Sequence, residues 1–125
     1  MYVSELKQTE RVCLDTDRLD EICTELGYSG GEAAICAAME DLAVLLQEVG
    51  ALRGTADRDG LLEVAEQVEM LAGQIGMIGL TRVASDVAGL CRTSDDAALA
   101  ATLARLRRLG EQSLLAMWDR QDLTV

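Results

Sequence analysis

The chain has 125 residues, half of them hydrophobic, and a formal charge of −11, with no histidine, proline or phenylalanine. That length suits one domain with its own core, and the charge argues against nucleic acid and anionic membrane surfaces as partners, because both would repel it. No run approaches the roughly 18 apolar residues that span a bilayer, and the first ten residues lack the basic start and apolar block of a secretory signal, so the cytoplasm is the expected compartment.

Ala, Leu, Glu, Arg, Gln and Met dominate. These are strong helix formers, and they predict an all-α fold. Residues 1–14 read as a leader or arm in which Val3, Leu6, Val12 and Leu14 form a weakly amphipathic pattern. Asp15 or Thr16 can cap the first clear helix, whose buried stripe is Leu19, Ile22, Cys23 and Leu26, and Gly27 ends it. Ser29 and Glu32 have the spacing of a capping box and open a second helix with Ile35, Met39, Leu42, Val49 and Leu52 on one face. It stops near Gly54. Asp57 or Asp59 opens the third, which is expected to run to Gly79. A short fourth follows with Leu80, Val83, Val87 and Leu90 inward. Residues 93–96, Thr-Ser-Asp-Asp, cap a fifth that carries Leu99, Leu103, Leu106, Leu114 and Met117 and ends near Trp118. The expected organisation is a leader over 1–14, one helical domain over 15–119 and a frayed tail over 120–125. The short connections suit antiparallel neighbours in an up-down bundle.

Cys13, Cys23, Cys36 and Cys91 form no C-x-x-C pair, and without histidine a zinc site is not expected. Small buried thiols are the plain reading. Arg11 near Cys13 and Arg92 beside Cys91 give slight support to a reactive one.

The third helix has two unlike faces. Val64, Val68, Leu71, Ile75 and Ile78 recur at spacings of three and four and form a stripe for a core. The opposite side holds Glu66, Glu69, Met70, Gly73 and Met77, with Leu62 at its edge. A solvated face would carry mostly charged and amide side chains. Gly73 and Gly76 each cost about 1 kcal/mol relative to Ala inside a helix, and close approach of another backbone is the expected reason. This outward face is the candidate binding surface.

On this layout the sequence resembles the histidine-containing phosphotransfer (HPt) domain family. The family signature is roughly His-x-Leu-Lys-Gly-x-Ala-x-x-Leu-Gly, and the matching stretch runs from Glu69 to Gly79, with Leu71, Gly73, Ile78 and Gly79 fitting it. The segment from Cys13 to Ile22 also looks like the start of such a domain. The resemblance implies a four-helix bundle with an additional short N-terminal helix. It places Glu69 where the family has its phosphohistidine and Ala72 where it has a lysine. A carboxylate has no ring nitrogen to carry a phosphoryl group, and Glu66 and Ala72 supply neither a cation nor a metal site to support an acyl phosphate. What the resemblance leaves is a docking surface of Leu62, Glu66, Glu69, Met70, Gly73 and Met77 for a receiver domain or a histidine kinase.

Plainer readings stand beside that one. Glu69 can be an ordinary solvated glutamate, Gly73 can pack against a helix of the same bundle, and the Leu62, Met70 and Met77 group can be buried or covered by the leader. Arg105, Arg107 and Arg108 can be a basic docking patch or can solvate the last helix and pair with nearby acids. A chain without histidine offers no nucleophile–base pair, metal cluster or phosphate loop, so neither enzymatic activity nor a cofactor is expected. A homodimerising structural bundle is the alternative to the docking module.

Overall fold

The computed structural model describes residues 12–123. They form five helices: α1 (Thr16–Leu26), α2 (Tyr28–Leu52), α3 (Arg58–Gln74), α4 (Ile78–Leu90) and α5 (Asp96–Leu123). The fold is all-helical, as the composition dictates. Val3 and Leu6 lie outside the described residues.

Three helix starts follow from one device, an aspartate whose carboxylate accepts an otherwise unpaired backbone N–H. Asp15 accepts from the Arg18 N–H at 3.2 Å, Asp57 from Gly60 at 2.8 Å and Asp95 from Ala98 at 3.0 Å. The second helix does not use its expected capping box. Gly27, at φ +79°, both ends α1 and precedes α2, so Ser29 already lies inside the helix. Glu32 is instead drawn to the far end of the chain, where it meets Arg120 at 3.3 Å. Arg120 lies within α5, which runs on past Trp118 to Leu123.

Each helix packs against the next along the chain, and α5 closes back on α2, while α1 lies on α2. The inner faces of Ile35, Met39, Leu42 and Val49 on α2, Val68 and Ala72 on α3, Leu80, Val83 and Val87 on α4, and Leu106 and Met117 on α5 are buried from water. Full burial of a Val, Leu, Ile or Met side chain contributes about 1.5–3 kcal/mol. Glycine sets the closest approach. A Cβ on Gly31 would sit 2.7 Å from the Cys23 Cα, so α1 and α2 touch backbone to backbone.

The opposite end is held by Arg58, which donates to the Leu90 and Thr93 carbonyls at 3.2 and 2.8 Å and to the Asp96 carboxylate. One side chain at the start of α3 thus fixes the α4–α5 connection. No helix among the described residues is long and apolar enough to cross a membrane.

Candidate functional site

The stretch from 63 to 79 is two helices, not one. After Gln74 the chain turns at Gly76, whose φ of +75° is a conformation that L side chains rarely adopt. A Cβ there would also lie 2.8 Å from the Asp15 carbonyl oxygen. Close approach of another backbone therefore accounts for Gly76. The approaching segment is the chain just before α1. Asp15 N–H donates to the Gly76 carbonyl at 2.7 Å, Ile78 N–H donates to the Cys13 carbonyl at 3.1 Å, and Leu14 and Met77 bridge antiparallel. Arg18 completes the clasp by donating from Nε to the Gln74 carbonyl at 3.0 Å. That puts a cation on the negative end of α3.

This break re-aims the side chains around it. Met77, expected on the docking face, is 1% exposed because the strap over residues 12–15 turns it into the core. It borders the groove between α3 and α4 but offers a partner almost no surface. Leu62 is only partly open and packs against the core. Ala72 is 0% exposed, so a lysine at that place would have to bury its charge among α3 and α4 side chains. Ile78, expected in the inner stripe, is 43% exposed at the first turn of α4, and Met70 is 56% exposed. Glu66 is accessible but paired, 3.6 Å from Arg92.

Between α3 and α4 these changes leave a groove of about 470 Å³. Glu69 and Gly73 form one wall and Ile78, Thr81, Arg82 and Asp86 the other, over a floor that includes Asp15 and Gly76. Gly73 is exposed on α3 and borders Thr81 of α4. An added Cβ would meet the Thr81 side chain at 3.8 Å, an ordinary van der Waals distance, so a small side chain fits there and a large one would fill the groove. Of the residues expected to bind, Glu69, Gly73 and the almost wholly buried Met77 line this groove, with Met70 exposed on α3 and Glu66 one turn before Met70.

The α4 wall was missed from sequence. Its signal lay in a wheel drawn on α4 alone: Ile78, Arg82 and Ser85 fall opposite Leu80, Val83 and Val87. Continuing the α3 phase through Gly76 hid it.

The groove holds opposite charges and hydroxyls, but no ion pair closes across it among the described residues. Thr81 Oγ1 donates to the Met77 carbonyl at 2.8 Å and is thereby engaged. Cys13 is the exposed thiol on the nearby strap. At Cys91 burial pushes the thiol up from its ordinary value of 9.0, outweighing the lowering effect of Arg58 and Arg92, so the neighbouring arginine does not activate it. At Cys23 burial and the Glu32 charge push the same way. An open, part-apolar, mixed-charge groove without an activated nucleophile is suited to holding a partner's side chains.

No protein-family model, curated protein or solved structure matches this chain.

Proposed function

We propose that this chain is a phosphotransfer-like binding module that docks a receiver domain or a histidine kinase without transferring phosphate, serving as adaptor, competitor or sequestering partner. The observation that carries this reading is the open groove beside Glu69 and Gly73, next to exposed Met70 and Ile78, in a chain with no histidine. Glycine at the mouth lets a partner approach the helix backbone, and methionine adapts to the shape it meets. The circuit of packed helices from α2 through α5, with α1 laid on α2, supports the finer reading of an up-down four-helix bundle with a short leading helix. Glu69 then supplies a permanent negative charge where a phosphotransfer domain carries one only when phosphorylated, although a single carboxylate is the smaller charge.

The test is titration against receiver domains and histidine kinases from the same organism, phosphorylated and not, using the native chain and Gly73→Arg. Arginine fills the mouth without entering the core, so binding is expected to fall at least tenfold, about 1.4 kcal/mol, with helicity and melting nearly unchanged. Unfolding of the variant would move Gly73 into the core and the interface elsewhere. Exposed Met70 and Ile78 are also what a self-interface would use. Sedimentation at micromolar concentration separates the two readings: a tight homodimer that hides Met70 favours the structural bundle.

A further inference from the structure

The helix circuit has a second seam on the side away from the α3–α4 groove, where α5 meets α2. Here too there is a groove, of about 490 Å³, with a marked gradient of polarity along its length. Arg53 and Arg107 stand at one end, Gln47 and Glu111 come next, and Ala43 and Leu114 lie at the other. Further along the same flank of α5, Leu115 and Trp118 are exposed apolar side chains.

The arginines are the informative part. Among the described residues Arg18, Arg58, Arg92 and Arg120 sit in ion pairs; Arg53, Arg82, Arg107 and Arg108 meet no carboxylate at ion-pair distance, and of these four Arg107 alone is half-buried. Arg107 is half-buried, with its guanidinium lying over Gly50, where an added Cβ would be 3.6 Å from Nε. A half-desolvated guanidinium has lost water without gaining an anion, and an anion on it would form a charge-assisted, planar contact. In a chain of charge −11, a half-buried Arg107 with an exposed Arg53 beside it in one groove points to what the groove receives.

We propose that the α2–α5 seam binds an amphiphilic anion, with its carboxylate or similar head on Arg107 and Arg53 and its apolar body running over Ala43 and Leu114 toward Trp118. The eleven-residue separation of Arg107 and Trp118 corresponds to about 16 Å along a helix, which matches a medium-length acyl chain. The volume lies within the range of about 300–1,000 Å³ typical of small-molecule sites. This site is independent of the docking face, and its ligand belongs to a different chemical class.

The probe is dodecanoate, with dodecanol as its neutral and dodecylammonium as its cationic counterpart, followed by NMR through the Gly50 amide and by Trp118 fluorescence. Dodecanoate is expected to move both signals saturably, and dodecanol at least tenfold more weakly. Arg107→Gln should weaken dodecanoate at least tenfold. Arg53→Gln, on an exposed side chain that leaves folding unaffected, should weaken it severalfold. Glu111→Gln should strengthen it. Equal response to the neutral and cationic probes, no response at Gly50, or full affinity in Arg53→Gln and Arg107→Gln overturns the proposal. Receiver titration tests the docking face alone, so either idea can fail without the other.

Discussion

Gly73 and Gly76 lie three residues apart, yet alanine should act on them with opposite sign. At Gly76 the positive φ costs a non-glycine residue roughly 1–2 kcal/mol, and the new Cβ would be driven against the Asp15 carbonyl at 2.8 Å and the Asp15 Cβ at 3.2 Å. Relief requires the strap to move, which weakens the Asp15-to-Gly76 and Ile78-to-Cys13 hydrogen bonds. Each of these is worth about 0.5–1.5 kcal/mol. Gly76→Ala should therefore lose about 2–4 kcal/mol, a large part of the 5–15 kcal/mol typical of a domain. At Gly73 the backbone is helical and the Cβ would meet only Thr81 at 3.8 Å, an unstrained contact, so Gly73→Ala should gain up to about 1 kcal/mol from helix propensity. Urea unfolding followed by circular dichroism measures both in one series. Native-like stability in Gly76→Ala, or a loss above about 1 kcal/mol in Gly73→Ala, would refute the assignment of Gly76 to the turn and Gly73 to an open surface.

Other consequences are as direct. Arg58→Ala removes the hydrogen bonds that tie the start of α3 to the α4–α5 connection and should lower stability by about 1–2 kcal/mol, most of it lost at the Thr93–Asp96 end in amide exchange. Arg120→Ala leaves Glu32 without that partner and should speed amide exchange over the last turns of α5 more than it shifts the melting temperature. The raised Cys91 thiol keeps its proton longer in the folded chain than in the unfolded one. Its contribution is thus complete below the ordinary value of 9.0 and is lost as pH rises above it, and Cys91→Ala should flatten that alkaline limb. With thiol reagents at neutral pH, exposed Cys13 should react first and Cys91 last.

The helices were legible because their signals are local. Asp15 and Asp57 cap where the pattern placed them, and the stripes through Ile35, Met39 and Leu42 and through Leu80, Val83 and Val87 are buried as spaced. What periodicity could not deliver were effects of distant chain. A helix wheel carried through Ile75 and Gly76 assumes an unbroken axis, and only the strap from residues 12–15 shows why the axis breaks at Gly76 and why Met77 turns inward. The Ser29–Glu32 pair had the right spacing for a cap, but the helix begins at Tyr28, before Ser29, and Glu32 pairs with Arg120, remote in sequence. Part of the candidate site was readable, since Glu69 and Gly73 do line the groove. Its other wall belongs to a helix with a different phase.

The bridge between Leu14 and Met77 also bears on the order in which the molecule assembles. It joins two short segments with both α1 and the α2–α3 hairpin between them, and its apolar side chains, Met77 in the core and Leu14 packed against it, need the rest of that core already in place. Closing so long a loop for two backbone hydrogen bonds and those contacts becomes favourable only after α2 and α3 have paired and brought the ends near each other. The strap is then a late latch: it contributes little to the folding transition state and much to the rate at which the finished molecule comes apart.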